Sequence, residues 1–428
     1  MNVKESGIDW IGKIPVTWNL RKIRYLLKER IEKNDPIKSN NILSLTASQG
    51  VIPYSEKKGS GGNKPKDDLT KYKLTYPNDI VMNSMNVLSG SVGLSEYFGC
   101  VSPVYYMFYS DSIISNIKYY NYIFQTKPFQ LSLLGLGNGI MMKKSDNDKY
   151  NTIRMRIPSE KINNLVMPFP DIETQDKIVN FLDLKVPELD NIIIKTEDSV
   201  DYYKTYKNAL IIDTVTNGLN NFEMKQCNMP WIEQIPNHWN ETKLKHVATK
   251  LKRDHDKNDD MLVCSNSGKV ILKTESKTGL VSEKEDKLQG VKAGDLLIHG
   301  MDTWHGAIAV SNLDGKCTPV VHVCNTIMNK IYLKYYLQSL AFRNVYKAIT
   351  NGVRLNTSDF RSWEKAGNIP ILVPPIHEQN SIANYLEEKC ALIDKVINEK
   401  ESLIRTVQNY KSSFIYEYVT GKKEIISS

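Results

Sequence analysis

The sequence predicts an α+β chain in which two tandem-duplicated, mixed α/β modules are separated by two long helices. The helices are expected to pack as an antiparallel coiled coil, related by a pseudo-twofold axis. Three observations lead there. The string DWIGKIPVTWNLRKI at residues 9–23 returns as PWIEQIPNHWNETKL at residues 230–244, a shift of 221 in a chain of 428. Further matches follow in the same order, at shifts that fall steadily to 204. Two stretches, one after each module, repeat apolar residues at helical spacing.

The matches set the organisation. YPNDIVMNSMNVLSGSVGLSEYFGCVSPVYYMF (76–108) aligns with KAGDLLIHGMDTWHGAIAVSNLDGKCTPVVHVC (292–324), pairing Asp79 with Asp295, Met85 with Met301, Gly90 with Gly306 and Pro103 with Pro319. Asn138-Gly139 aligns with Asn351-Gly352, and PFPDIETQDKIVNFLDLKVPELD (168–190) with LVPPIHEQNSIANYLEEKCALID (372–394). One order with a falling shift means duplication followed by loop deletions. The boundaries are a first module at 1–168, a central helical spacer at 169–217, a second module at 218–372 and a distal helical spacer at 373–421.

Each element follows from local pattern. In WIGKIP and WIEQIP the residue before proline is pushed out of the helical region, so Ile14 and Ile235 enter an extended lead-in. The tryptophans around it serve as core anchors. DIVMNSMN, SVGLSEY and CVSPVYYMFY run apolar between Gly, Asn and Asp turns, as short strands do. NYIFQTKPFQLSLL and KYYLQSLAFRNVYKAI predict amphipathic helices attached to that sheet. From 174 to 217 the stripe is Ile178, Leu182, Val186, Leu189, Ile193, Val200, Tyr203 and Leu210. From 378 to 420 it is Ile382, Leu386, Leu392 or Ile393, Val396, Leu403, Val407, Tyr410 and Phe414. Both stripes suit helix-on-helix packing. Pro187 predicts a short helix to about Lys185 and a long one after it; Gly218 and Gly421 stop the long helices.

Composition narrows the class. Hydrophobic residues make 41% and charged residues 24%, enough for real cores, and the net charge of +8 allows a polyanionic partner without demanding one. Six cysteines form no C-x-x-C pair, so reduced buried thiols in a cytoplasmic protein are expected. The start MNVKESGIDW has no apolar core of a signal peptide, and no window is long and apolar enough to span a membrane.

Catalytic signatures are missing. GSGGNK at 59–64 lacks the spacing of a phosphate-cradling loop, and no G-x-G-x-x-G opens a helix. Asp171, Glu173 and Lys177 faintly suggest a nuclease cluster, but carboxylates are expected at a helix start. His299, Asp302, Trp304 and His305 form the one local polar cluster, and a further metal ligand is lacking. No catalytic residue and no metal ligand is assigned.

The modules share a frame and differ in their loops, which is how recognition modules are built. EKKGSGGNKPKDDLTKYK (56–73) carries Lys57, Lys58, Lys64 and Lys66; its counterpart LKTESKTGLVSEKEDKLQG carries Lys273 and Lys277. After Met85 and Met301 come NVLSGS, with Asn86, and DTWHGA, with Asp302, Trp304 and His305. Past the Asn-Gly turns lie Lys143, Lys144 and Arg354. Such groups follow phosphates and reach base edges; the alternative for each is a solvated surface loop.

The ordered set resembles the specificity (S) subunit of type I restriction–modification systems. The strings that carry it are WIGKIPVTW and WIEQIPNHW, NDIVMNSMNVLSGSVGLSEYFGCVSPVYYMF, PFPDIETQDKIVNFLD and LVPPIHEQNSIANYLEEK, and YKNALIIDTVTNG with YKSSFIYEYVTGK. The resemblance spans essentially the whole chain. It departs at Glu233 for Gly12, at His299 for Asn83, and where VVHVCN lacks the aromatics of VYYMFY.

The resemblance implies two target-recognition domains, each reading half of a bipartite, asymmetric site on double-stranded DNA. It implies that the helices space these domains and dock two methyltransferase (M) subunits, with motor–nuclease (R) subunits joining. No cofactor is then bound by this chain; S-adenosylmethionine, ATP and magnesium belong to the partners. Ile178, Leu182, Leu189, Ile193, Tyr203, Ile382, Leu386, Val396, Leu403 and Tyr410 are the candidate packing and docking residues. A helix of some thirty residues spans about 45 Å, against about 34 Å for one DNA turn. Half-sites separated by several unspecified base pairs are therefore expected. The competing readings are a catalytic fragment of a fused restriction enzyme, which the missing motifs oppose, and a coiled-coil scaffold that binds only proteins.

Overall fold

In the computed structural model, residues 2–46, 50–57, 64–85, 90–137, 142–144, 150–152, 156–275, 288–349 and 359–425 are described. The chain is mixed α/β. It divides into two compact units, Met1–Thr196 with Leu403–Ser428, and Glu197–Ser402. Each unit holds one module and part of each long helix.

The string repeated at the start of each module folds the same way in both. Lys13–Pro15 pairs antiparallel with Val3–Glu5, and Gln234–Pro236 with Met224–Gln226. The next strand, Asn19–Lys22 or Asn240–Lys243, pairs with the strand that leads into a long helix, Val166–Phe169 or Pro370–Val373. Ile14, Trp18, Ile235 and Trp239 are buried.

The central sheet of the first unit runs Lys28–Arg30, Tyr105–Tyr109, Ile80–Asn83, Val92–Leu94, all antiparallel. That of the second runs Ala248–Lys250, Val321–Thr326, Leu296–His299, Ile308–Val310, in the same topology. Successive side chains of a strand alternate faces, and both faces here are covered. Ile80, Met82 and Phe108 enter one core with Tyr119 and Ile123, while Val81 and Met107 enter another with Leu43, Leu45 and Val51. In the second unit Leu296 and Ile298 join Tyr332 and Tyr336, while Leu297 and Val323 join Leu262 and Val270. This two-sided burial is why IVM (80–82) and LLI (296–298) are unbroken apolar runs.

The attached helices are shorter than their patterns suggest. NYIFQTKPFQLSLL breaks into Ile117–Gln125 and Lys127–Ser132, with Pro128 in the first turn of the second helix. Its counterpart breaks into Lys330–Phe342 and Val345–Ile349 at Asn344, which has φ +58°. Asn116 and Asn329 cap the two leading helices, each accepting from two backbone N–H groups.

The central helix is continuous over Ile172–Asn217, with Pro187 inside it. The expected break near Lys185 is absent. An interior proline costs about 3 kcal/mol, and the turns beside it hold the helix through buried Ile178, Leu182 and Val186. The C-terminal helix is Ile376–Val419. Gly218 and Gly421 end the two helices at φ +78° and +68°.

Of the packing candidates, Ile178, Leu182, Ile382 and Leu386 are buried, and Leu189, Ile193, Tyr203 and Val396 are half-buried. Leu403 and Tyr410 are about half exposed, at 47% and 52%, and so is Leu392. The buried seam of the C-terminal helix instead runs Ile382, Leu386, Cys390, Ile393, Ile397. A straight helix of 3.6 residues per turn drifts away from a strict heptad, which moves the seam off the residues that the shorter repeat selects.

Within each unit the two long helices pack together, and the contacts correspond. Asp190 pairs with Lys411 in the first unit; Lys207 pairs with Asp394 at 2.6 Å in the second. These residues exchange under the repeat. The hydroxyl of Tyr122 donates to Asp183, and that of Tyr335 to Glu387. Tyr119 donates to the carbonyl of Val419, and Tyr332 to that of Val215.

A buried glutamine ties each long helix to its module. Gln175 accepts from the Asn116 amide and donates to the carbonyls of Ile114 and Pro170. Gln379 accepts from the Asn329 amide and donates to the Pro374 carbonyl.

Candidate nucleic-acid interface

At one end of each central sheet the strand Ile80–Asn83 or Leu296–His299 runs into a turn whose sequence differs between the modules. In the first unit the strand Ile80–Asn83 turns at Ser84 and Met85, and Gly90, ahead of the strand Val92–Leu94, has φ +81°. The Asn83 side-chain oxygen accepts from the Met85 amide at 3.0 Å. The Ser84 carbonyl receives the Ile157 amide, and the Tyr106 hydroxyl donates to the Ile157 carbonyl at 3.0 Å. Arg156 donates from Nε to that hydroxyl. Lys73 donates to the Tyr105 carbonyl and lies 5.4 Å from the Tyr106 ring. Burial draws the Lys73 ammonium below its ordinary value; Glu29 opposes this and Arg156 reinforces it.

In the second unit Leu296–His299 passes through Gly300 into the short helical turn Thr303–His305, closed by Gly306 at φ +88°. Gly90 and Gly306 thus share a left-handed conformation that strains other residues, which accounts for a glycine kept between loops that otherwise differ. The His299 Nδ1 accepts from the amides of Met301 and Asp302, at 3.4 and 3.0 Å. The Phe360 amide donates to the Gly300 carbonyl, and His322 donates from Nε2 to the Phe360 carbonyl at 2.6 Å. A Cβ at position 300 would sit 2.8 Å from that carbonyl oxygen, so only glycine fits the crossing.

The two ends therefore use equivalent clamps. Asn83 and His299 supply the acceptor that fixes the turn; Tyr106 and His322 supply the donor that holds the crossing segment. Burial lowers the pKa of both imidazoles. The Asp302 carboxylate lies 3.4 Å from the His299 Nδ1 and favours its charged form. That nitrogen already accepts two backbone donors, so the contact is polar and not an ion pair at neutral pH.

Asp302, Trp304 and His305 share one turn; the rings of Trp304 and His305 lie 3.6 Å apart, and the Lys347 ammonium stands 4.8 Å from the Trp304 ring. Lys57 is half-buried, 5.7 Å from the Tyr54 ring, and Lys64 and Lys66 are exposed. Lys273 is half-buried in the turn Lys273–Glu275. Lys143 and Lys144 lie on the strand Met142–Lys144, which pairs with Tyr150–Thr152. Lys58, Asn86, Lys277 and Arg354 lie outside the described residues.

Sequence reasoning missed Lys73, Arg156, Lys347 and the clamp at Tyr106 and His322. The clamp has a sequence signal, because Tyr106 and His322 stand at the same shift of 216 as Asn83 and His299.

Asp171 accepts from the Thr174 amide at 2.8 Å, and Glu173 pairs with Lys177 one turn on. The Thr174 amide holds the Asp171 carboxyl below its usual range against the pull of burial. These carboxylates serve the helix start. All six cysteines are free, and burial pushes the thiols of Cys317 and Cys324 up to about 12, which makes them poor nucleophiles. Among the described residues no cluster of three His, Cys, Asp or Glu is placed to hold a metal, and no helix is long and apolar enough to cross a membrane.

Duplicated α/β modules with paired long helices define the architecture. Over its length this architecture is similar to a chain in a structure of a type I restriction–modification (R-M) system, described in terms of complex assembly and conformational transition. That likeness covers 96% of this chain and 99% of the other at TM-score 0.66 and 10% identity. The fold is thereby placed with that of a type I R-M system chain. The HsdS subunit from Thermoanaerobacter tengcongensis aligns over 98% of this chain and 100% of its own at 12% identity, with a TM-score of 0.47. No family model and no curated protein matches the sequence.

Proposed function

We propose that this chain is the DNA-specificity subunit of a type I restriction–modification complex. Each unit reads one half of a bipartite, asymmetric site on double-stranded DNA. The long helices space the units and dock two methyltransferase subunits, and motor–nuclease subunits complete the assembly. The chain performs no chemistry of its own; S-adenosylmethionine, ATP and magnesium act in the partners.

The observation that carries this reading is one frame built twice with different side chains at the same end. Equal frames with unequal loops suit two unlike half-sites. The fold likeness along nearly the full length of both chains supports the same reading. Asp302, Trp304 and His305, with Lys347, form a polar and aromatic turn suited to base edges and phosphates. Lys57, Lys64, Lys66, Lys143, Lys144 and Lys273 are the phosphate-following candidates, and Leu403 and Tyr410 offer exposed surface to a docked subunit.

The test is a map of modified adenines in the source genome, with and without this chain. The expected result is one bipartite motif that vanishes on deletion. Unchanged modification overturns the proposal. Methylation by the purified chain alone overturns its non-catalytic part.

A further inference from the structure

The clamps at the two reading ends differ in one chemical respect. In the first unit they are an amide and a phenol, Asn83 and Tyr106; in the second they are two imidazoles, His299 and His322. Of side chains at ordinary values, histidine alone changes charge between about pH 5 and 8.

The hydrogen bonds fix the protonation each imidazole needs. His299 accepts two backbone N–H groups at Nδ1, so its proton sits on Nε2. His322 donates from Nε2, and its buried Nδ1 has no hydrogen-bond partner among the described residues. A second proton on His299 would turn an acceptor into a donor facing two donors. A second proton on His322 would bury a charge with nothing to receive it.

We infer that His299 and His322 are positioning residues that hold the reading end of the second unit only as neutral imidazoles, so that acidification loosens this end and not its counterpart. Its meaning for recognition rests on the function proposed above; the structural change does not.

The surrounding charges are few. Asp302, on the same turn, favours the charged form of His299. Lys250, on the strand beside Val321–Thr326, disfavours a charge on His322, and so does His299. The Trp363 ring packs against the His322 ring at 5.5 Å. Burial outweighs these charges, and at His322 also the Phe360 carbonyl, which favours the charged form, and sets both imidazoles below the ordinary value of 6.5. The sign follows from linkage. Between the lowered folded values and 6.5 the opened state binds more protons, so the closed state is fully favoured above 6.5 and loses ground as pH falls below it.

Hydrogen exchange on the full chain tests this. After correction for intrinsic exchange, protection of the Met301 and Asp302 amides falls at least about tenfold between about pH 7.5 and pH 5, while the Met85 amide changes less than about twofold. The variants H299N and H322Y install the first unit's groups, and the double variant keeps its protection at low pH. A parallel loss at Met85, or an equal loss in the double variant, overturns the inference. Should the double variant fold poorly, histidine-selective 15N spectra of the wild-type chain decide. Two of the seven imidazoles keep the neutral form, with the proton on Nε2, to lower pH than an ordinary histidine; seven that titrate together overturn the inference. If exchange behaves as expected yet acid leaves DNA recognition by the assembled complex unmoved, the positioning role stands and the reading role of this end fails.

Discussion

The first unit is assembled from both ends of the chain, and the second from one continuous stretch. The helix end that docks on the second module, at Val215 and Gly218, immediately precedes that module. The helix end that docks on the first, at Val419 and Gly421, arrives some four hundred residues after it begins. The contacts are nevertheless the same. Tyr119 holds the Val419 carbonyl as Tyr332 holds that of Val215. In the first unit Lys422 also reaches the carbonyl of Ile11 at 2.5 Å, and Tyr416 that of Trp10 at 2.8 Å. What the fold requires is a packed helix end in each slot, whichever part of the chain supplies it.

The largest test of this comparison removes one supplier. Deleting residues 411–428 takes away buried Ile415 and Val419, each worth roughly 1.5–3 kcal/mol, and the carbonyl that receives Tyr119. The first unit should lose hydrogen-exchange protection throughout its sheet while the second keeps its own. Equal loss in both units would show that they do not fold separately.

The buried glutamines give the next effect. Gln175 has three backbone partners and Gln379 two. Each buried group left unsatisfied costs about 1–3 kcal/mol. Q175L should therefore destabilise the first unit by more than Q379L destabilises the second, measured by urea unfolding followed unit by unit. The reverse order would mean that the extra bond to Ile114 contributes nothing.

These glutamines also mark the limit of what the sequence discloses. The duplication, the strand runs and both long helices are legible because apolar period and glycine position are local signals. Polar satisfaction is not local. Nothing in ETQ or HEQ says that the glutamine, and not the carboxylate, will be buried, because the module groups it must meet, at Ile114 and Asn116 or at Asn329, lie 50 to 61 residues away in the chain. Asn83 and His299 looked like a divergence and turn out to fill one acceptor slot, since an amide oxygen and a bare Nδ1 are alike to a backbone N–H. Pro187 misleads in the other direction. Its local rule is sound, and the burial of Ile178, Leu182 and Val186 ahead of the proline overrides it.

A smaller effect separates the two helix-ending glycines. A Cβ at Gly421 would stand 2.5 Å from Pro15 and 2.9 Å from Trp18. At Gly218 it would stand 3.1 Å from Phe222 and 3.3 Å from Trp239. Both share the cost of a positive φ, about 1 kcal/mol, and overpacking adds about 1–3 kcal/mol where nothing gives. G421A should lower the unfolding midpoint of its unit more than G218A lowers that of the other. Equal shifts would assign the whole effect to backbone conformation.

The smallest effect concerns the exchanged ion pairs, Asp190 with Lys411 and Lys207 with Asp394. All four groups are partly exposed, so each pair is worth only about 0–1 kcal/mol. Their information lies in register. K411D sets two carboxylates against each other in the first unit, and D190K in the same chain restores opposite charges. The double reversal should recover most of the lost stability at low salt, and the gain should shrink as salt is raised. The second unit should not respond, because its pair uses Lys207 and Asp394 alone. A response there would mean that the long helices transmit register from one unit to the other, and that neither unit is held on its own.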